Sequence, residues 1–202
     1  MIKPRFRISA GIGVRLVALC VLSAAANAQP AAYQIDPEHF SVGFLVDHLG
    51  YAKVLGMFRE SSGSYSFDEK TGALSDVRLV IDARSVYTGH RGRDRHLAGP
   101  DFLNAGEFRE IVFTSATAKR TGERTFVVEG QLQMIGKTQP LTLNVTWNKS
   151  GKYELPGTDA YVMGVSARGS FKRSGFGISY GIANGWVGDA VDLIVEFEAK
   201  RK

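Results

Sequence analysis

From Tyr33 to the end of the chain, apolar and polar residues alternate with a period of two in one segment after another. That period places every second side chain on one face of an extended strand, so it predicts half-buried antiparallel strands rather than helices. In residues 41–49 one face carries Val42, Phe44, Val46 and His48; in residues 76–83 it carries Val77, Leu79 and Ile81; in residues 110–116 it includes Ile111 and Phe113. The pattern returns with Phe126, Val128, Leu132 and Met134, then with Leu141, Leu143, Val145 and Trp147, and finally with Val191, Leu193, Val195 and Phe197. Runs near 53–59, 63–67 and 161–172 bring the tally to about eight or nine strands, the number expected of a sandwich or a barrel. Turn chemistry is expected at Ser61-Ser62-Gly63, Glu69–Gly72, Arg120–Glu123 and Asn148–Gly151.

One connection breaks the rhythm. Ser85 to Gly106 is too long for a hairpin, and connections of that length in β domains hold short helices or a functional lid. Asp94–Leu97 fits one helical turn ended by Gly99-Pro100, and Asp101-Phe102-Leu103 fits the start of another.

The first 28 residues have a different character. Lys3, Arg5, Arg7 and Arg15 precede or flank an apolar run from Leu16 to Ala26, which ends in Ala26-Asn27-Ala28. This is the pattern of a secretory signal peptide cleaved after Ala28, and the run is too short to span a bilayer as a helix. The expected products are a leader, residues 1–28, and a single exported domain, residues 29–202, located in the periplasm. Without the leader the balance of 25 basic and 20 acidic residues becomes 21 to 20, which removes the main support for a nucleic-acid or anionic-membrane role, since both need a surplus of basic charge on one face. The single cysteine, Cys20, lies in the leader, so the mature domain would have no disulfide, thiolate metal site or cysteine nucleophile. Lipid attachment at Cys20 is disfavoured by the bulky Leu19 before it and by the cleavage pattern after it.

Two groups of polar residues are candidates for chemistry. Arg93, Asp94 and His96 cluster in the long connection, but Asp94 and His96 are two residues apart and would point to different faces of a helix. No G-x-S-x-G nucleophile elbow accompanies them. The cluster reads first as a clamp of paired charges on the connection, and second as a polar contact for a ligand head group. Histidines 39, 48, 90 and 96 show no i, i+4 metal-binding spacing, so no metal is expected. His48 reads as a satisfied interior histidine or as a polar group in an apolar pocket. Aromatic residues occur on nearly every strand, yet an eight-stranded barrel can be filled by its own side chains or hold a small ligand, and periodicity does not separate the two.

Three ordered blocks carry a family likeness. Tyr33–Phe58 resembles the opening signature Y-x-I-D-x-x-H-S-x-V-x-F-x-V-x-H-L-G of the YceI-like, polyisoprenoid-binding family, with Phe40 between His39 and Ser41. Ser85–Ser115 resembles its second block through Thr88, Gly89, Arg93, Asp94, His96, Leu97, Asp101, Phe102, Ile111, Phe113 and Ser115. Residues 130–145 are similar to its G-x-L-x-I-x-G-x-T-x-P-V-x-L segment through Gly130, Leu132, Gly136, Thr138, Pro140 and Leu143. The chain departs from the pattern at Gly175, where an aspartate that would partner Arg173 is expected, at Phe108-Arg109-Glu110, and in residues 148–164.

The resemblance implies an all-β fold, a single antiparallel lipocalin-like β-barrel of about eight strands with short helices in the 85–106 connection. It also implies that the barrel is hollow and holds a polyisoprenoid, an isoprenoid quinone or a similar long-chain lipid for transport, storage or sequestration. On that basis Val42, Phe44, Val46, His48, Phe58, Phe102, Phe113, Met134, Leu143 and Phe171 are expected to line the cavity. Arg93, Asp94 and His96 are expected to clamp the connection or touch the head group. The expected protein is not an enzyme and has no cofactor. Its expected partners are the lipid and, transiently, a membrane or membrane quinone protein, with no nucleic acid, and it is a monomer or homodimer. Two rival readings are a hydrolase or isomerase using His48 or His96 as base, and a ligand-free stress or interaction module with a packed barrel.

Overall fold

The structure, a computed structural model, describes Met1 and residues 30–202; the predicted leader, including Cys20, lies outside the described residues. Ten strand segments follow one another: β1 (Ala31–His48), β2 (Ala52–Phe58), β3 (Ser61–Phe67), β4 (Leu74–Asp82), β5 (Val86–Tyr87), β6 (Glu110–Arg120), β7 (Thr125–Met134), β8 (Lys137–Lys152), β9 (Tyr161–Lys172) and β10 (Val187–Arg201). A single α-helix, α1 (Arg91–Ala98), falls between β5 and β6 among the described residues.

Eight of the strands close a ring in the order β1-β3-β4-β6-β7-β8-β9-β10, with β10 returning to β1. All the pairings are antiparallel, so the chain is a closed lipocalin-like barrel. Closure depends on the length of β1. Its first residues pair with β3 and its last seven with β2, while β10 runs along both parts. The register against β10 slips between Ile35 and Phe40, and the extra residues there bend β1 between its two partners. The short β5 pairs with β2 outside the ring.

The period-two faces point inward as the pattern requires: Val42, Phe44, Val77, Leu79, Phe113, Phe126, Leu132, Leu143 and Val195 are all buried. Two predicted turns are strand instead. Ser61-Ser62-Gly63 pairs with Leu79–Ile81 of β4, and Asn148–Gly151 continues β8 past a bulge after Trp147, with Lys149, Ser150 and Gly151 paired to β9. Cross-strand hydrogen bonds satisfy those backbones and outweigh the local turn preference. The expected turns at Glu69–Gly72 and Arg120–Glu123 form, with Gly72 at φ 77° and Thr121 N–H donating to the carbonyl of Thr125.

The two ends of the barrel differ. At one end aromatic rings fill the interior: Tyr33 stacks on Tyr65 with centroids 5.1 Å apart, and Phe67 meets Phe126 and Trp147 edge-on at 5.6 and 6.0 Å. Below them the Glu69 carboxylate accepts hydrogen bonds from Tyr33 (2.8 Å), Ser150 (2.7 Å) and Tyr161 (3.0 Å), which ties the β3–β4 turn across that end. The other end is open.

Candidate functional site

The open half holds a cavity of about 580 Å³. Its wall is built from the inward series of nearly every ring strand, because alternate side chains of each strand look into the barrel. All ten residues predicted to line a cavity are on that wall: Val42, Phe44, Val46, His48, Phe58, Phe102, Phe113, Met134, Leu143 and Phe171. The volume lies within the roughly 300–1,000 Å³ typical of small-molecule sites. Leu79, Phe113, Leu143 and Val195 form its floor, and beneath them a second, wholly apolar void of about 80 Å³ reaches Phe67 and Trp147.

The charged and imidazole side chains on the wall are those of Asp47, His48, Arg93, His96 and Arg173, gathered at the mouth with Tyr180 and Trp186. His48 is not an interior histidine: it is the last residue of β1, exposed at the rim, because the strand leaves the barrel there.

Helix α1 starts earlier than the sequence suggests. His90 caps it by accepting the N–H of Arg93 on Nδ1 at 3.2 Å, and Gly99 ends it. Residues 101–103 form turns rather than a second helix, with Leu103 and Asn104 N–H groups turned back to the carbonyls of Leu97 and Gly99. Asp94 accepts from both the N–H and the hydroxyl of Thr88, at 2.7 and 2.6 Å, and Arg93 donates to the Thr88 hydroxyl and carbonyl at 2.7 and 2.9 Å. These four bonds fasten the first turn of α1 to the strand end before it. Asp94 therefore serves Thr88 and is absent from the cavity wall, whereas Arg93 and His96 reach it.

His96 has the carboxylate partner that spacing in the helix denied it. Asp101, five residues on and beyond the helix, places Oδ2 3.0 Å from Nε2. The imidazole also meets the rings of Phe102 and Tyr180 edge-on, at 5.0 and 4.9 Å. No serine or threonine hydroxyl is hydrogen-bonded to His96 among the described residues, so the pair lacks an adjoining nucleophile. No group of three or more His, Cys, Asp or Glu residues forms a metal-binding cluster among the described residues.

Arg173 is the residue that the sequence pattern misjudged. It is buried, and its guanidinium donates to the carbonyls of Gly188 (2.7 Å), Ile178 (3.2 Å), Tyr180 (2.8 Å) and Val187 (2.8 Å). Those acceptors gather both ends of the 177–187 connection onto one side chain, so each guanidinium nitrogen has an acceptor without a carboxylate at position 175. Burial lowers the pKa of Arg173 from its ordinary value, and the charge of Asp189 opposes that shift. Burial also works to raise the pKa of Asp189, but hydrogen bonds from the Ser174 N–H and hydroxyl bring it below the usual value.

A closed eight-strand barrel with an apolar cavity and a clamped helix at its mouth matches one family over almost its whole length. The family model for the YceI-like domain covers residues 33–199. This chain belongs to the YceI-like family. It is 37% identical over 179 residues to a UPF0312 protein of Yersinia enterocolitica, covering 88% of this chain and 90% of that one. Among solved structures it resembles BcnA of Burkholderia cenocepacia, with a TM-score of 0.72 at 22% identity over 81% of this chain and 98% of that one. It also resembles a polyisoprenoid binding domain from Saccharophagus degradans implicated in plant cell wall breakdown, with a TM-score of 0.62 at 17% identity over 85% and 99% of the two chains. At those identities the two structures establish the shared fold.

Several wall residues of this YceI-like barrel were not legible as such. Leu49, Tyr180 and Trp186 sit in glycine-rich loops with no period, and Leu97 lies on a helix that is polar overall. The only signal for the first three was large apolar side chains in segments otherwise rich in turn formers.

Proposed function

We propose that the protein is an exported carrier that holds one long-chain apolar lipid, a polyisoprenoid or isoprenoid quinone, with its tail in the barrel and its polar head at the mouth. The observation that carries this reading is the division of the cavity: its floor and walls are hydrocarbon and aromatic, and every charged or imidazole group that reaches it is at the open end. A long-chain amphiphile has that same division. Membership of the YceI-like family and likeness to a barrel described as a polyisoprenoid binding domain support the ligand class.

Each methylene of a tail exposed to water costs about 0.8 kcal/mol, so a free polyprenyl chain does not diffuse through an aqueous compartment. Passage from bilayer to barrel exchanges one apolar surrounding for another, and the net change is small enough to reverse. The protein's part is binding and shielding rather than chemistry. The leader in residues 1–28 directs it to the periplasm.

Native mass spectrometry of gently purified protein, followed by solvent extraction, tests the reading. A stoichiometric long-chain lipid, and a mature N-terminus at Gln29, are the expected results. Protein that leaves the cell empty and takes up neither isoprenoids nor quinones would overturn it.

A further inference from the structure

We infer that the mouth of the barrel is a docking face for an anionic lipid surface, with an aromatic ridge that enters the interface and a basic helix that faces the head groups. The inference rests on the carrier reading above and adds where exchange takes place and what surface receives it.

The ridge is formed by two loops joined across the rim. The N–H of Leu49, in the β1–β2 hairpin, donates to the carbonyl of Trp186 at 3.1 Å, and Trp186 lies beside Tyr180 with ring centroids 6.5 Å apart. Apolar side chains there are presented to solvent: Tyr51 is 90% exposed, Trp186 50% and Leu49 46%. Leu49 also holds a left-handed backbone at φ 55°, a conformation that asparagine or glycine adopts at less cost. Turn geometry does not call for leucine at that tip. Tryptophan and tyrosine are the residues that favour the boundary between hydrocarbon and water.

The other side of the rim is basic. On α1 the spacing of Arg93, His96 and Leu97 turns one face to the cavity, which leaves Arg91 and Arg95 together on the opposite face. Both are exposed and neither forms an ion pair among the described residues. The carboxylates at this end keep their charge but are engaged locally, by Thr88 for Asp94, His96 for Asp101, the Gly50 N–H for Asp47, and Ser174 for Asp189, and α1 itself carries three arginines against one aspartate. Two arginines without partners beside an apolar ridge complement a bilayer that contains anionic lipid. Leu49, Tyr180 and Trp186 line the cavity as well as the rim, so the ridge leads directly into the site. A tail leaving the bilayer along it avoids water.

Flotation with lipid vesicles tests this, using vesicles of phosphatidylcholine alone or of equal parts phosphatidylcholine and phosphatidylglycerol. Farnesol uptake from solution is measured alongside by native mass spectrometry. The protein is expected to float with the mixed vesicles, with a blue shift of Trp186 emission over a constant background from Trp147 at the far end. Arg91→Gln with Arg95→Gln is expected to weaken that association on the order of 25-fold, from the known effect of each basic residue near an anionic surface. Tyr51→Asp is expected to weaken association with both vesicle types. Tyr51, Arg91 and Arg95 lie off the cavity wall, so farnesol uptake stays at the wild-type level in every variant. No flotation, equal affinity for the two vesicle types, or variants that float like the wild type would each overturn the docking face. Wild-type protein that takes up no farnesol would instead overturn the carrier reading, whatever the vesicles show.

Discussion

The ring of Phe44 lies over the backbone of Gly56, its direct cross-strand neighbour on β2, so closely that a Cβ at position 56 would stand 2.2 Å from Phe44 Cζ. The absent side chain of Gly56 is what lets Phe44 lie flat against the wall and leave the cavity open. Gly56→Ala is therefore expected to push the ring into the cavity, costing about 1–3 kcal/mol through overpacking and lowering bound lipid. Adding Phe44→Leu should recover part of both losses. Urea denaturation and native mass spectrometry of the single and double variants measure the coupling, and strictly additive effects would contradict the contact.

Arg173 holds the 177–187 connection with four backbone acceptors, so its removal leaves buried carbonyls without donors. Arg173→Met is expected to destabilise the fold by about 3 kcal/mol or more, at roughly 1 kcal/mol for each bond lost. Arg173→Lys should be nearly as damaging, because an ammonium cannot reproduce the planar fork. Gly175→Asp should shift stability by less than about 0.5 kcal/mol, since the new Cβ meets nothing nearer than Gln139 at 3.6 Å. Thermal denaturation of the three variants checks all three statements.

The two bonds from Thr88 to Asp94 make that carboxylate a clamp. Asp94→Ala is expected to cost about 1–3 kcal/mol and to raise amide exchange through residues 88–98 first. Lipid retention should fall only in step with stability. A variant that lost lipid while its thermal unfolding stayed unchanged would make Asp94 a head-group residue.

Asp36 sits in the bulge of β1, buried, with Lys200 2.8 Å and His39 3.1 Å from Oδ2. The hydrogen bond from Lys200, aided by that from His39, overcomes the effect of burial and holds the carboxyl at a pKa of about 2. Its folded-state pKa is below the unfolded value of about 3.9, so its contribution is present above pH ~4 and is lost as pH falls toward 2. The same contact raises the pKa of His39, whose contribution is present below about pH 6.5 and is lost as pH rises past its folded value. Asp36→Asn should flatten the acid limb of a plot of denaturation midpoint against pH. An unchanged limb would place the acid sensitivity elsewhere.

Alternation alone determined that this chain is a set of antiparallel strands, and which side of each strand is inside, because side-chain direction along a strand has a fixed period. The inward series that begins Val42, Phe44, Val46 could be named from the sequence for that reason. Whether those residues fill the barrel or surround a space was decided by closure: β1 bends at its bulge to pair with both β2 and β3, and the aromatic residues gather at one end. Contacts between distant segments were equally out of reach of local pattern. The pairing of His96 with Asp101 depends on how the chain turns after Gly99. The burial of Arg173 depends on a loop that returns four carbonyls to it. The strand pairing of Asn148–Gly151 depends on β9 lying alongside, where its hydrogen bonds prevail over the turn that those four residues would form alone.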